Sequence, residues 1–504
     1  MGNKNYLLGI DIGSSGCKVS LLDLNRRKNT TLSGEINTYY PRPGWAEQNP
    51  EDWISKVAIL VSKLLKKESC LAEDIIAIGL SGVTHSLLML DKDRNVLERT
   101  IHITDSRSFR QVERLKKEAG DLILKTALNP AGVMWTISML DWIREKDKNR
   151  WNKISRILFP KDYIRFRLTG SEVTDYIDAQ GTLLFDPIKK KWDTRLTDLI
   201  QLDPEVLPEL AEPADIVGKV TTDGASWSGL EEGTPVIAGT TDTLLEVFAA
   251  GSKNKGDCTV KLATFGRICV LTDKPFCGNG LINYSYILPG MWYPGTGTRS
   301  CGTSLRWCRD QFFKELDTGK AYSFMTDGAE KIPSGSQGLI FHPYLQGEGS
   351  PYDDPLLRGD FIGLTLHHTR DHIIRSVLEG VAFSLLDSIN FIKKKGIKIK
   401  PPLRFIGGGS KSALWTEILS NVLGYDAIVP QVTDPSAGAA LIAGVGKGIF
   451  KTYGQAQEFN YGISREISSD DRENVRYGEI FTIYKEAQKK LEDINHQLAK
   501  GYDS

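Results

Sequence analysis

Two apolar runs of this chain each end at an aspartate beside a turn of small polar residues. The first run ends at Asp11, and the turn that follows contains Gly13, Ser14 and Ser15. Backbone N–H groups and hydroxyls in such a turn can hold phosphate oxygens, a carboxylate beside them can face Mg²⁺, and Lys18 can reach the same phosphates as a point charge. The alternative is an aspartate that simply closes a hairpin with a glycine-rich turn.

The second aspartate, Asp242, follows the apolar run 235–238 and is preceded by Gly239, Thr240 and Thr241. Ligands of α/β proteins bind at the carboxyl ends of strands. Asp242 is therefore a candidate general base for a hydroxyl that is to be phosphorylated. Taken alone, it would be interpreted as the cap of a helix that begins at Thr243.

Two weaker signals also follow predicted strands. Gly408 and Gly409 lie between a strand and a helix, where backbone without side chains lets an adenosine or a phosphate come close. Thr84 and His85 follow another strand, and a histidine there can hydrogen-bond a sugar hydroxyl, although a satisfied core or loop histidine is the commoner case. The chain contains neither GxxxxGK[ST] nor GxGxxG, so a different phosphate cradle is needed.

Composition argues against several classes of partner. The chain has 504 residues with 63 Lys plus Arg and 63 Asp plus Glu, so no global field recruits nucleic acid or an anionic membrane. No window holds roughly 18 apolar residues, and the first residues lack a signal-peptide pattern. The seven cysteines are scattered without CxxC spacing, which predicts buried free thiols in a reducing, cytoplasmic protein.

The elements that position these residues alternate between strands and helices. Strands are predicted over 6–11, 18–23, 75–81, 235–238, 257–264, 267–271 and 403–407, and helices over 51–66, 106–125, 138–146, 413–423 and 478–498. The last helix carries apolar residues at helical spacing, which predict an amphipathic helix: Ile483, Tyr484, Ala487, Leu491, Ile494 and Leu498.

The second half of the chain repeats the plan of the first. Each half opens with a strand pair beside a glycine turn, which predicts a duplicated α/β fold with a boundary near residues 245–255. One hydrophobic core is improbable at this length, so two lobes with a cleft between them are expected.

Taken together, these segments resemble the FGGY carbohydrate kinases, and most closely their xylulokinase-like branch, over almost the whole chain. The sharpest match is 359–364 (GDFIGL) followed, after seven residues, by 372–379 (HIIRSVLE), which fits the family's second signature at every specified position. The resemblance implies ATP-dependent phosphorylation of a small carbohydrate hydroxyl. It also implies an α/β fold of two actin-like, ribonuclease-H-like lobes around a catalytic cleft, with 1–248 as the sugar side and 249–504 as the nucleotide side.

The same resemblance implies roles for individual residues. Asp242 is implied as the catalytic base, with Thr84, His85 and Asp105 as further sugar contacts, and Asp11 and Asp242 as Mg²⁺ ligands. The implied ATP and phosphate contacts are Gly13, Ser14, Ser15, Lys18, Thr264, Gly266, Gly408, Gly409 and Ser412. The implied partners are ATP and a sugar, with no nucleic acid and no membrane, and relatives of this kind are often homodimers.

Most departures from the family pattern cluster around the sugar, while Arg267 follows the second phosphate loop. They are Val83 and Thr84 in place of Gln-Met, Ile103 and Thr104 in place of Trp-Asn, Met139 in place of Lys, Thr243 in place of Asn, and Arg267 in place of a small residue. D-xylulose is the best single acceptor, while another ketose, a polyol or a sugar acid such as gluconate stays open. A non-catalytic actin-like ATPase switch and a degenerate kinase that binds a sugar as a regulator stay open as well.

Overall fold

The structure, a computed structural model, describes residues 5–501. Its strands in chain order are β1 (Tyr6–Ile12), β2 (Gly16–Asp23), β3 (Lys28–Glu35), β4 (Glu47–Gln48), β5 (Ile75–Gly82), β6 (Leu88–Leu90), β7 (Thr100–Ile101), β8 (Arg156–Leu158), β9 (Val173–Asp175), β10 (Phe185–Asp186), β11 (Lys191–Trp192), β12 (Glu209–Ala211), β13 (Ile216–Lys219), β14 (Pro235–Ile237), β15 (Thr240–Thr241), β16 (Asp257–Leu262), β17 (Gly266–Val270), β18 (Gly295–Thr298), β19 (Ile340–His342), β20 (Asp360–Ile362), β21 (Lys400–Ile406), β22 (Ala427–Pro430) and β23 (Ile463–Ile467).

Its α-helices are α1 (Pro50–Glu68), α2 (Phe109–Ala127), α3 (Thr136–Lys146), α4 (Lys148–Trp151), α5 (Pro160–Thr169), α6 (Thr194–Asp198), α7 (Thr222–Ser228), α8 (Asp242–Ala249), α9 (Gly302–Phe312), α10 (Thr318–Glu330), α11 (Arg370–Lys394), α12 (Ala413–Leu423), α13 (Pro435–Gly446), α14 (Tyr453–Asn460) and α15 (Asp471–Gly501). Short 3₁₀ helices include 178–182 and 408–411. No helix of the described residues is long and apolar enough to cross a membrane.

Two large sheets have the same strand order. The first runs β3-β2-β1-β5-β14-β13 and the second β18-β17-β16-β21-β22-β23. In each, a hairpin strand (β1 or β16) pairs antiparallel with its successor and parallel with a later strand. This repeat confirms the predicted duplicated α/β fold, whereas the division of the lobes at residue 248 stays a prediction. Residues 1–4 and 502–504 of the predicted ranges lie outside the described residues.

Helix α13 joins the two halves, because it belongs to the second half in sequence but packs on the first sheet against β1, β2 and β5. The contact is close at two strand glycines. A Cβ at Gly9 would stand 1.8 Å from the carbonyl oxygen of Ser436, and a Cβ at Gly79 would stand 1.9 Å from that of Ala439. Side chains on β1 or β5 would therefore push the helix away from the sheet.

Most predicted elements are confirmed, with ends that differ by a few residues. Helix α15 is the main correction: Ile483, Ile494 and Leu498 are about half exposed, while the buried residues are Tyr477, Tyr484, Gln488, Asn495 and Ala499. Polar aromatic residues determine the buried face, since Tyr484 donates to or accepts from the Tyr344 hydroxyl at 2.9 Å. The predicted buried thiols are confirmed for six cysteines, while Cys277 is exposed.

Candidate active site

Asp11 lies at the carboxyl end of β1, where three strands meet. The strand register places Lys18 opposite Asp11 on β2 and Ser81 beside it on β5. Ser81 donates a hydrogen bond from its hydroxyl to Oδ1 of Asp11 at 2.7 Å. Thr240 pairs with Ser81 in turn, so Asp242, which directly follows β15, reaches the same edge of the sheet. The fold thus brings together the two aspartates that the sequence singled out.

The two aspartates differ in environment. Asp11 is buried, and burial, together with the charges of Asp242 and Asp434, raises its pKa to about 8 against the opposing effect of Lys18. Asp242 is partly exposed, and its Oδ1 accepts a hydrogen bond from the backbone N–H of Thr243 at 2.6 Å. Two neighbouring carboxylates, one of them buried, are what a divalent cation with a preference for oxygen ligands neutralises, so this pair fits Mg²⁺.

Lys18 is held in place by a residue that the sequence analysis did not identify. Its Nζ lies 3.0 Å from Oδ2 of Asp434. Asp434 caps α13 by accepting a hydrogen bond from the backbone N–H of Ser436 at 3.0 Å. The sequence does contain a pattern that could have identified Asp434, because an Asp-Pro pair before a run of small residues is typical of a helix start.

A second ion pair crosses between the two halves beside Asp242. Nζ of Lys261, on β16, lies 2.6 Å from Oε2 of Glu246, which is one helical turn beyond Asp242 on α8. Burial raises the pKa of Glu246, and the Lys261 charge opposes this effect. Sequence reasoning missed the pair because its members are paired only by the tertiary fold.

A cavity of about 630 Å³ opens on the second sheet. Four predicted nucleotide residues line it: Thr264, Gly408, Gly409 and Ser412. A Cβ at Gly409 would stand 2.7 Å from the Trp415 ring, whereas a Cβ at Gly408 would meet nothing within 4 Å. Ser412 caps α12 through a hydrogen bond from the backbone N–H of Trp415 at 3.2 Å.

The other predicted phosphate residues lie outside this lining. Gly266 begins β17 behind the Thr264 turn, where a Cβ would stand 2.8 Å from the Thr298 side chain. Gly13, Ser14 and Ser15 form the turn between β1 and β2, closed by a hydrogen bond from the N–H of Gly13 to the Gly16 carbonyl at 2.9 Å. Ser14 and Ser15 are exposed. They belong to the first sheet, together with Asp11 and Lys18.

His85 is buried with both ring nitrogens hydrogen-bonded. Nδ1 donates to the Gly181 carbonyl at 3.0 Å, which leaves Nε2 to accept from the Tyr284 hydroxyl at 3.0 Å. The imidazole also lies edge-on to Trp135, with ring centroids 4.6 Å apart. Burial lowers the pKa of His85 to about 3, so the ring is neutral. A sugar hydroxyl could bond to His85 only in place of Tyr284.

Asp105 is also fully engaged. Its Oδ2 accepts from the N–H of Ala46 at 2.7 Å and pairs with Arg107 at 2.7 Å. The guanidinium of Arg107 is itself stacked over Trp45 at 3.7 Å. Asp105 therefore anchors Arg107, and its contact with a sugar stays a prediction.

A buried charge cluster surrounds Lys161. Lys161 pairs with Asp175 at 3.0 Å and with Asp178 at 3.2 Å, and all three side chains are inaccessible to solvent. Burial raises the pKa of Asp178 to about 7, which the Lys161 charge opposes. Asp178 begins the 3₁₀ helix that carries Gly181, and Asp175 accepts a hydrogen bond from Thr240 at 2.8 Å. The cluster thus connects the support of His85 with the strand that precedes Asp242.

Comparisons with known proteins decide the family. The model of the N-terminal domain of the FGGY family of carbohydrate kinases matches residues 6–249, and the model of the C-terminal domain matches residues 268–446. The chain belongs to the FGGY family of carbohydrate kinases. It is therefore an enzyme that phosphorylates a sugar, and sugar kinases of the FGGY family use ATP as the phosphoryl donor.

Relatives of this FGGY kinase include enzymes named for more than one substrate. It is 31% identical to a xylulose kinase of Lactococcus lactis over 99% of each chain, and 29% identical to a gluconokinase of Bacillus subtilis over 88% of this chain and 87% of the relative. Its fold matches a crystal structure of gluconate kinase from Lactobacillus acidophilus with a TM-score of 0.86 at 26% identity, covering 96% of this chain and 98% of that one. It matches xylulose kinase from Rhodospirillum rubrum with a TM-score of 0.87 at 24% identity, covering 97% and 100%. The two-lobed α/β architecture predicted from the sequence is confirmed.

Proposed function

We propose that this FGGY kinase transfers the γ-phosphoryl group of ATP to a hydroxyl of a small open-chain carbohydrate, with Asp242 as the general base. The hydroxyl oxygen forms a bond to the γ-phosphorus, the bond from that phosphorus to the β,γ-bridging oxygen breaks, and ADP leaves. Asp242 accepts the hydroxyl proton. The transition state is loose, so the base mainly orients the hydroxyl and accepts its proton late.

The observation that carries this proposal is the difference between the two aspartates at the edge of the first sheet. Asp242 is partly exposed, so its carboxylate can reach a bound hydroxyl, whereas Asp11 is buried behind it. Asp242 also lies on the first turn of α8, at the carboxyl end of β15. An accessible carboxylate at this position is what a general base requires.

Mg²⁺ would be held by Asp11 and Asp242, and it would supply positive charge to the transferring phosphoryl group. The turn of Gly13, Ser14 and Ser15 would contact phosphate oxygens from the first sheet, together with Lys18. Thr264 and Gly266 would do so from the second sheet. Gly408, Gly409 and Ser412 would border the adenosine, which the position of the 630 Å³ cavity supports.

D-xylulose is the acceptor that the names of most curated relatives favour, and Thr84, His85 and Asp105 are proposed as its contacts together with Asp242. Gluconate is a second candidate, because gluconokinases are among the relatives and a cation, Arg267, faces the sugar side. The homodimer and the cytoplasmic location expected from the sequence stay predictions.

Replacement of Asp242 by Asn tests the proposal. We expect kcat to fall at least about a hundredfold, because a general base is lost while the shape of the side chain is kept. ATP affinity, measured by calorimetry, should be largely retained. Asp223→Asn is the matched control, since Asp223 is an exposed aspartate on the first turn of α7. Near-normal turnover of Asp242→Asn would remove Asp242 from the mechanism.

A further inference from the structure

Arg267 projects from the second sheet toward the sugar side. Neighbouring residues of β17 alternate between its two faces, and Ile268 and Val270 belong to the core around the second sheet. Arg267 and Cys269 therefore point the other way, and Cys269 belongs to the core cluster that contains Tyr284 and Tyr293. This cluster draws residues from both halves of the chain.

The aromatic neighbours of Arg267 connect it to the catalytic residues. The rings of Tyr284 and Tyr293 are stacked with centroids 5.9 Å apart. The Tyr284 hydroxyl bonds to His85, and the Tyr293 hydroxyl lies 3.4 Å from Oγ1 of Thr241, the residue before Asp242. The charge of Arg267 is one of the influences that lower the pKa of His85. The guanidinium is therefore close to the groups proposed to contact the sugar.

Within residues 5–501, no carboxylate forms an ion pair with the Arg267 guanidinium, and its buried Nε has no hydrogen-bond partner. The polar groups that face it are the Cys269 thiol and the phenols of Tyr284 and Tyr293, and burial raises the pKa of both phenols. A desolvated cation without a counter-charge is unfavourable, so such groups are normally paired.

Not every arginine with a buried nitrogen has a carboxylate partner, since Arg465 instead donates to the Ser410 carbonyl at 2.6 Å. Three arginines with largely buried side chains each pair with a carboxylate: Arg107 with Asp105 at 2.7 Å, Arg165 with Asp162 at 3.0 Å, and Arg375 with Glu379 at 2.8 Å. Arg267 differs from these three because no carboxylate in the described part of the chain pairs with it. An anionic ligand would supply the missing charge.

We propose that Arg267 binds a carboxylate of the acceptor, and that the acceptor of this kinase is a small sugar acid. The proposal rests on the proposed function, because it names the substrate class of that same site. A guanidinium offers a planar fork of donors that matches a carboxylate with two parallel hydrogen bonds. An ATP phosphate is the other anion that could reach β17, and the contacts with the His85 and Tyr284 side of the site favour the acceptor.

Matched pairs of acceptors test the proposal. D-gluconate and D-glucitol differ only in a carboxylate against a primary alcohol, as do D-xylonate and xylitol, and D-xylulose adds a neutral ketose. We expect each acid to have a kcat/KM at least about tenfold above its neutral partner, because charge-assisted hydrogen bonds are roughly twice as strong as neutral ones. Equal or better use of the neutral partners would overturn the proposal while leaving the kinase intact.

Variants of Arg267 test whether this residue binds the anion, and whether the anion is the acceptor carboxylate or an ATP phosphate. Arg267→Gln should raise KM for the acid about 10- to 100-fold with little change in kcat, and Arg267→Lys should restore part of the loss. The exposed Arg476→Gln on α15 is the matched control. If Arg267→Gln raises KM for ATP instead, equally with every acceptor, the anion is a nucleotide phosphate and the proposal is wrong.

Binding measured without turnover distinguishes this proposal from the proposed function. Calorimetry of D-gluconate and D-glucitol with the wild type and with Arg267→Gln needs no phosphoryl transfer. Tighter binding of the acid that is lost in Arg267→Gln supports the proposal even if no ADP forms, in which case the proposed function alone fails. Equal binding of acid and alcohol by the wild type overturns it.

Discussion

At the scale of single residues, side chains of the same type differ in the candidate site because they differ in burial and in their partners. Asp11 and Asp242 stand at the same edge of one sheet, yet only Asp242 has access to solvent. Arg107 and Arg267 are both arginines with buried nitrogen atoms, yet of the two only Arg107 has a carboxylate partner among residues 5–501. The residue type therefore indicates what chemistry is possible, and the partners decide which chemistry is available.

The neutral state of His85 leads to a prediction about pH. Burial lowers the pKa of His85 to about 3, below the ordinary histidine value of about 6.5 in the unfolded chain. The unfolded state then binds more protons between these values. This contribution to stability is complete above pH 6.5 and is lost as the pH falls toward 3.

We expect His85→Gln to remove this dependence. Between pH 6 and pH 4, the free energy of unfolding should fall less steeply than in the wild type, by up to about 1.4 kcal/mol per pH unit. Urea unfolding at several pH values measures the difference. His367→Gln, at an exposed histidine, controls for the loss of an imidazole. Parallel pH profiles for the wild type and His85→Gln would contradict the account.

Many residues of the candidate site could be predicted from the sequence, because each belongs to a short local pattern. Strand ends followed by glycine turns identified Asp11, Asp242 and Gly408. The ion partners could not be predicted, because Lys18 and Asp434 are more than 400 residues apart and meet only through the fold. The family signature at 359–379 has a structural role, since Glu379 accepts from the N–H of Gly335 at 2.9 Å and from Tyr477 at 2.9 Å.

At the scale of elements, helix α13 positions the site by close approach to the first sheet. Its residues are buried almost all round, so it has no amphipathic stripe, and sequence periodicity could not reveal which surface it covers. The hairpins and amphipathic helices were predictable because their periodicity is local. Helix α15 shows the limit of that argument, since hydrogen bonds of its tyrosines, rather than its most apolar residues, determine which face is buried.

The packing of α13 predicts a strong effect of one methyl group. A Cβ in Gly79→Ala would overlap the Ala439 carbonyl, so α13 must shift and carry Asp434 away from Lys18. We expect a loss of about 1–3 kcal/mol in the free energy of unfolding, together with lower kcat. Gly120→Ala in α2 is the control, because a Cβ there meets nothing within 4 Å, and it should be neutral or slightly stabilising. Equal stability of the two variants, measured by urea unfolding, would show that the helix tolerates displacement.

At the scale of the whole molecule, two sheets of equal strand order place complementary groups on the two sides of the site. The first sheet supplies Asp11, Lys18 and Asp242, and the second supplies Lys261, Arg267 and the 630 Å³ cavity that we propose for the nucleotide. The Lys261–Glu246 ion pair connects the halves directly beside Asp242. The duplication was predictable from the repeated hairpin and turn. The packing of α13 on the sheet of the other half, and the ion pair between the halves, could be seen only in the tertiary structure.

The most direct test of the central claim is a coupled ADP-release assay of the purified protein with Mg-ATP against pentuloses, hexuloses, polyols and aldonic acids. The account predicts that one small carbohydrate stimulates ADP release well above the rate without acceptor, and that the same response disappears in Asp242→Asn. ADP release that is the same with and without every sugar, from a protein that still binds ATP, would contradict the assignment of this molecule as a sugar kinase.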